Sequence, residues 1–386
     1  MHSPTRSAAA GKRAHTTVDF IIRRQYLRIA RRAFQEGKLL WLAKQGMKVA
    51  AVPVADRLGK PLAGPVLGTL VTTYRCNNAC FMCDLPKPWF YKARGREELD
   101  TAGMKGLIDE FVRLGTMGLN LTGGEPTLRP DCFELIEHGA ARGLLVHLNT
   151  NAYTLQSADQ VRALIASGVE SLNVSLDGAV AETHDRLRRA KQGFERVERA
   201  TELLLAHRRG ARPALTYTFV VGPENHREVP AFIELARSRG IDSVTFMPLH
   251  GCYRDAEPLP SDRVAEMEAT IQQLVAARRM DDGFLDNSER YLSLFPRAFR
   301  GEPSPLRCFV GYNHLLVDCF GNVYPCAFFC ETGRPVGNVR DTPLHEMWRG
   351  GAYGAMRREL AQCRECFWNC HTEMNLLYQR APATIQ

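Results

Sequence analysis

The chain has 386 residues, of which 24% are charged and 45% apolar, an ordinary balance for a protein with one large domain and a smaller one. It excludes a largely disordered chain, and no stretch reaches the ~20 apolar residues of a membrane span. Twelve cysteines without a secretory signal point to metal or catalytic use in a reducing compartment rather than to a disulfide framework.

The net charge of +8 is gathered at the N-terminus. Residues 1–60 hold 13 Lys and Arg against 3 Asp and Glu, so everything beyond them is close to neutral. No basic-and-aromatic array follows, which argues against a nucleic-acid partner. Residues 1–16 read as disordered. Over 18–34, apolar residues alternate with arginines at helical spacing, and a second helical piece over 38–49 is expected to end before Pro53. No uninterrupted apolar run follows Arg24, so an export signal is not expected and the chain reads as cytoplasmic. This basic helical arm, residues 1–65, has two readings. It packs on the domain with its arginines in water, or residues 17–50 make a peripheral contact with the inner face of the membrane.

Past Pro65, apolar or β-branched runs recur at 67–73, 117–121, 144–148, 171–176, 214–221 and 243–248, with helical stretches such as 104–114 and 194–207 between them. Such alternation predicts a parallel sheet wrapped by helices. Six units are two short of a closed eight-stranded barrel, so residues 66–280 are expected to form an open, partial (β/α)6 TIM-like barrel. In that architecture chemistry sits at the C-terminal ends of the strands. The polar signals fall there: the loop Cys76-Asn77-Asn78-Ala79-Cys80-Phe81-Met82-Cys83 after the first strand, Thr122-Gly123-Gly124-Glu125-Pro126 after the second, Asn149-Thr150-Asn151 after the third, and Ser175-Leu176-Asp177-Gly178 after the fourth.

The loop offers three thiols and no fourth partner. Structural zinc sites close with four ligands, whereas a 4Fe–4S cube held by three cysteines keeps one iron open to a small molecule. The CxxxCxxC triplet resembles the signature of the radical SAM superfamily, with Met82 where that family usually has an aromatic residue. The resemblance implies that Cys76, Cys80 and Cys83 hold a 4Fe–4S cluster whose open iron takes S-adenosylmethionine. It implies further that Met82 lies beside the adenine and that Gly123, Gly124 and Glu125 hold the methionine amino group. Ser175 and Arg188 would meet the carboxylate, and Asp177 the ribose, with Asn149 and Thr150 in the same lining. Adjacent glycines suit a close backbone approach, and Asp and Ser supply the matching acceptors and donor.

Residues 281–307, with three prolines, read as an irregular linker. Beyond it, residues 308–386 read as a small cysteine-rich α+β domain: Cys308, a hairpin over 315–324, Cys326, a helix near 344–359, then Cys363, Cys366 and Cys370. This order resembles the SPASM/twitch extension of radical SAM enzymes. It implies one auxiliary 4Fe–4S cluster on Cys308, Cys326 and two of Cys363, Cys366 and Cys370. A zinc ribbon is the alternative on spacing alone. Cys132, Cys252, Cys319 and Cys330 read as ordinary thiols, Cys319 or Cys330 being a substitute ligand.

The resemblance implies an oxidoreductase that splits S-adenosylmethionine with an electron from a donor such as flavodoxin or ferredoxin. The 5′-deoxyadenosyl radical then abstracts hydrogen from an unactivated C–H of a peptide or small-molecule substrate, with the auxiliary cluster as electron acceptor or substrate anchor. A lipid or isoprenoid substrate at the membrane surface is a second reading. A non-catalytic Fe–S electron carrier is a third, disfavoured because a carrier needs no nucleoside pocket.

Overall fold

The computed structural model describes residues 24–83, 97–249, 260–281 and 283–379. The start of the arm, residues 1–23, and Cys252 lie outside them.

Helix α1 (Arg24–Gln35) is amphipathic; of its four arginines Arg31 is exposed, as expected, while the other three turn to the barrel. Arg24 is buried and donates to Asp281 at 2.5 Å, Arg28 pairs with Asp286 at 2.9 Å, and Arg32 pairs with Glu170. The arm is thus riveted to the barrel by charge, and paired burial of this kind is strongly destabilised when one partner is lost. Helix α2 (Leu39–Leu58) does not stop before Pro53 as expected. It continues to Gly59, whose φ of 64° closes the helix while its N–H reaches back to Asp56. Val52 and Ala55 pack on Phe309 and Tyr312, and Asp56 pairs with Arg307 at 2.9 Å. Those contacts offset the ~3 kcal/mol that an interior proline costs a helix. Among the described residues no helix is long and apolar enough to cross a membrane.

Six parallel strands follow in sequential order: β1 (Leu67–Thr73), β2 (Gly118–Gly123), β3 (Leu145–Thr150), β4 (Ser171–Ser175), β5 (Ala214–Val221) and β6 (Ser243–Pro248). Between them run α3 (Thr101–Arg113), α4 (Cys132–Ala141), α5 (Ala158–Ala166), α6 (Ala181–Arg188), α7 (Gly193–His207) and α8 (Val229–Ser238), with α9 (Ser261–Met280) after β6. Strand alternation sorts the side chains. Leu119, Leu121, Leu172, Val174 and Phe246 are buried toward the helices, and Gly68 lets the Phe111 ring of α3 lie against β1. The positions between them, Asn120, Asn149, Asn173 and Thr218, face the barrel interior and keep partial exposure.

The C-terminal residues extend the same sheet. β7 (His314–Val317) pairs in parallel with β1, and β8 (Asn322–Tyr324) and β9 (Gly337–Asn338) continue antiparallel, giving nine strands in the order 6-5-4-3-2-1-7-8-9. At the β7–β8 turn Gly321 has φ 86°, and a Cβ there would sit 2.9 Å from Val339. The stretch expected as an irregular linker is packed. Leu285 bridges to Val244, and the short helices Glu289–Leu292 and Phe295–Phe299 bury Tyr291, Leu292 and Phe295. Pro296 stands in the first turn of its helix, where its missing N–H costs nothing. Helices α10 (Leu344–Arg349), α11 (Gly351–Leu360) and α12 (Asn369–Leu376) complete this part.

Candidate active site

The C-terminal ends of β1 to β4 surround an open cleft of about 660 Å³. Cys76, Cys80, Cys83 and Met82 line it from the β1 loop, Gly123 and Gly124 from β2, Asn149 and Thr150 from β3, Ser175 from β4 and Arg188 from the end of α6. Ten of the twelve expected residues of this site therefore meet in one place. Glu125 and Asp177 do not line the cleft; each stands directly behind it.

The glycine pair has a structural task besides the expected approach to a ligand. Gly123 has φ 146°, and a Cβ on it would lie 2.2 Å from the Thr73 carbonyl oxygen; one on Gly124 would lie 2.2 Å from that of Arg75. Gly124 N–H donates to Thr73 O and Glu125 N–H to Arg75 O, both at 2.8 Å. The pair thus welds the end of β2 to the root of the cysteine loop as well as lining the cleft.

Glu125 is fully buried. Its Oε1 accepts from the Thr127 hydroxyl at 2.6 Å and the Thr150 hydroxyl at 2.7 Å, its Oε2 from Asn151 N–H at 2.7 Å. Burial pushes its carboxyl above the usual carboxylate range, and those donors oppose the shift. Asp177, also fully buried, accepts from Arg188 Nε at 2.6 Å and from Val220 N–H at 2.8 Å. Arg188 is half of a buried ion pair that also approaches the Cys80 thiol.

His184 holds the adjoining wall. Its Nδ1 accepts from Asp177 N–H at 3.1 Å, so its Nε2 carries the proton and donates to Tyr153 Oη at 2.9 Å. Burial, with Arg188 adding, pulls its pKa down to about 3, so the ring is neutral. Burial also pushes the thiol of Cys76 up to about 11 and that of Cys80 upward. Asn78, Thr122 and Asn151 line the cleft as well. Asn78 is only 5% exposed, and both atoms of its amide lack a hydrogen-bond partner. A buried, unsatisfied amide on the wall of a cleft costs free energy until a ligand meets it. Asn78, which stands between Cys76 and Cys80, carries no signal in the sequence that sets it apart, and neither do Tyr153 and His184.

Among the described residues no three His, Cys, Asp or Glu side chains close on a point as they would around a single metal ion. Three thiols around a wider cleft, a backbone cradle at Gly123 and Gly124, and an unsatisfied amide suit a cluster with a polar ligand on it. The residues present fit that group.

The C-terminal thiols gather separately. Cys308 precedes β7, Cys326 caps the short helix Ala327–Glu331, and Cys363 and Cys366 lie between α11 and α12. Burial pushes Cys308 up to about 12, and Cys326 and Cys366 well above the usual thiol value. Cys308, Cys363 and Cys366 all push Cys326 up, Cys308 and Cys363 push Cys366 up, and Cys370 also acts on Cys366. Cys330 Sγ lies 3.4 Å from Tyr74 Oη.

Residues 70–250 match the radical SAM superfamily, and residues 308–371 match an iron–sulfur cluster-binding domain of the SPASM type. The chain is 32% identical to the AdoMet-dependent heme synthase of Methanosarcina barkeri, over 65% of this chain and 73% of that protein. It is 30% identical to the PqqA peptide cyclase of Rhizobium meliloti, over 81% and 84%. In fold it is similar to Streptococcus suis SuiB bound to the precursor peptide SuiA, with a TM-score of 0.58 and 15% identity over 90% of this chain and 79% of that one.

Proposed function

Since the chain belongs to the radical SAM superfamily and carries a SPASM domain, we propose that it activates a C–H bond of a peptide substrate in the cleft at the ends of β1 to β4. It is a radical SAM enzyme, binding a 4Fe–4S cluster and S-adenosylmethionine in one domain and auxiliary Fe–S in the other. When bound and reduced by a one-electron donor such as flavodoxin or ferredoxin, these groups supply a 5′-deoxyadenosyl radical that takes hydrogen from carbon.

The chain's own residues bind and orient. Cys76, Cys80 and Cys83 are the ligands of the first cluster. Arg188, its charge fixed by Asp177, is the cation for the carboxylate of S-adenosylmethionine, with Ser175 and Thr150 as neighbouring hydroxyls. Met82 offers a polarizable face to the adenine. Glu125 sets the Thr150–Asn151 corner and so acts by positioning. At the auxiliary site, Cys308, Cys326 and two of Cys363, Cys366 and Cys370 would hold one cluster.

The observation that carries the reading is the opening of three cluster-spaced thiols into the cleft that Gly123, Gly124 and Arg188 line. A peptide fits the barrel interior below. Asn173 donates to Asn149 at 2.8 Å, and the carbonyl oxygens of Asn120 and Asn173 have no partner. Such amides match neutral backbone groups. The carboxylates of a tetrapyrrole would call for further cations, and among the described cleft-lining residues the one cation, Arg188, is assigned to S-adenosylmethionine.

Anaerobic incubation of the reconstituted protein with S-adenosylmethionine and dithionite tests the activity. Release of 5′-deoxyadenosine is expected, and its loss in the triple Cys→Ala variant of Cys76, Cys80 and Cys83. No release from iron-loaded protein would overturn the reading. Deuterium passing from a labelled precursor peptide into that nucleoside tests the substrate class.

A further inference from the structure

Helix α2 is inside out. The face toward the protein carries Gln45 and Lys48 beside Val52 and Ala55, and the Lys48 ammonium spans the carbonyls of Pro65 and Gly115. Burial pulls its pKa down to about 8. The outward face is apolar. Leu40, Met47 and Val54 recur every seven residues, on nearly one line of the helix, and Leu58 falls within a few tens of degrees of it. They are 89%, 67%, 46% and 59% exposed. Phe34, Leu39 and Leu62 extend the patch, and among the described residues only Val180 and Met280 are large, apolar and comparably exposed elsewhere. A patch gathered on one segment is an interaction surface rather than ordinary scatter.

Charge says what covers it. Lys44 and Arg57 flank the apolar line on its two sides, and Lys60 follows it; all three are exposed and make no ion pair among the described residues. The nearby acids are neutralised, Asp56 by Arg307 and Glu36 by Lys38 and Arg212. Two copies docked face to face would bring these cations together. Residues 1–18, which contain Arg6, Lys12 and Arg13 and no Asp or Glu, carry the same sign. An apolar line with a basic rim is complementary to an anionic bilayer surface.

We propose that the outer face of α2 seats the protein on an anionic membrane, with Leu40, Met47, Val54 and Leu58 in the acyl–headgroup boundary and Lys44, Arg57 and Lys60 among the lipid phosphates. The contact differs from an arginine-led one through α1, where Arg24, Arg28 and Arg32 are spent on Asp281, Asp286 and Glu170 and Arg31 alone is exposed. It also orients the enzyme. Lys48 of α2 holds the chain just before β1 and β2, while Arg28 and Arg32 reach Ser243 and Glu170 at the starts of β6 and β4. The arm is therefore at the N-terminal ends of the strands and the cleft at the opposite ends. The membrane tethers the enzyme while its cleft opens to water, so the substrate comes from the aqueous side and is not a bilayer lipid.

Flotation of the full-length, cluster-loaded protein with phosphatidylcholine vesicles, with and without phosphatidylglycerol, tests this. Flotation is expected only with phosphatidylglycerol. Leu40→Ser/Met47→Ser/Val54→Ser and Lys44→Glu/Lys60→Glu are each expected to lower the bound fraction at least about tenfold. Both should leave 5′-deoxyadenosine release at the wild-type rate, which shows that the variants fold. Absence of flotation, or equal flotation of the apolar variant, overturns the proposal. So does a dimer that the apolar variant dissolves, or flotation gained only when residues 1–23 are deleted. Failure of radical chemistry would leave the flotation result untouched.

Discussion

Gly124→Ala adds a single methyl group, and the structure gives its cost. Gly124 has ordinary backbone angles, so alanine is not strained there; the whole effect is space. The new Cβ would lie 2.2 Å from Arg75 O and 2.8 Å from Tyr74 O, both backbone atoms that cannot rotate away. Relief requires the β2 end to leave the cysteine loop, breaking Gly124 N–H to Thr73 O and Glu125 N–H to Arg75 O. Two buried hydrogen bonds are together about 1–3 kcal/mol, and overpacking adds about 1–3 kcal/mol, so a loss of about 2–6 kcal/mol is expected. The shift also displaces Cys76, which follows Arg75 directly. Iron and sulfide content after anaerobic reconstitution should fall, and 5′-deoxyadenosine release should fall at least about a hundredfold, a few kcal/mol of lost positioning. Gly106→Ala, where a Cβ meets nothing within 4 Å, is the control. A Gly124→Ala protein with full iron, normal turnover and unchanged melting would refute the weld.

Asp177→Asn leaves Arg188 buried without its counter-charge, and a cost of about 3–5 kcal/mol with weakened S-adenosylmethionine binding is expected by thermal shift and equilibrium dialysis. His184 and His314 have pKa values pulled down to about 3 and about 4, both by burial first. A depressed histidine contributes its stability fully above the unfolded value near 6.5 and loses it as pH falls toward the folded value. Each therefore withdraws about 2 kcal/mol between pH 7 and 5, and His184→Gln should make denaturant midpoints flatter in that window. Cys308→Ala/Cys326→Ala should lower bound iron by about four per chain and keep the cleft cluster's response to S-adenosylmethionine, read by electron paramagnetic resonance. An unchanged iron count would remove those cysteines from the auxiliary site.

The parts of the fold legible in the sequence are those with a local period. Alternating apolar runs located all six barrel strands, because each must bury one face against helices whatever its neighbours do. The thiol triplet was legible because few chemistries tolerate three soft ligands and no fourth. What escaped depends on tertiary partners. Pro53 reads as a stop until Phe309 and Tyr312 are known to hold the turn beyond it. The prolines of 281–307 read as a linker until Tyr291 and Phe295 are seen packed edge to face at 5.1 Å in the core. Asn78 and His184 look like any loop asparagine and helix histidine; one unsatisfied amide and one neutral ring become informative only when the cleft surrounds them.

The two thiol sites are held by one pair of strands. β1 delivers the first set at its C-terminal end, and β7, joined to it from Leu67↔His314 to Leu70↔Val317, leads to the turn before Cys326. Beyond the last paired residue Tyr74, fully buried, donates to Asp318 at 3.2 Å, and Tyr324 donates to the same oxygen at 3.3 Å. Asp318 also accepts Phe320 and Asn322 N–H, which fixes the turn around Gly321. A hinge needs a seam with few buried contacts. This seam has a continuous parallel ladder capped by a saturated carboxylate, so the C-terminal part moves with the barrel as one body. The separation between the two sites is then set by strand geometry rather than by a flexible linker. Asp318→Asn, which weakens the cap without touching a thiol, should lower the melting temperature while bound iron and sulfide stay at the wild-type level; unchanged melting would refute the cap.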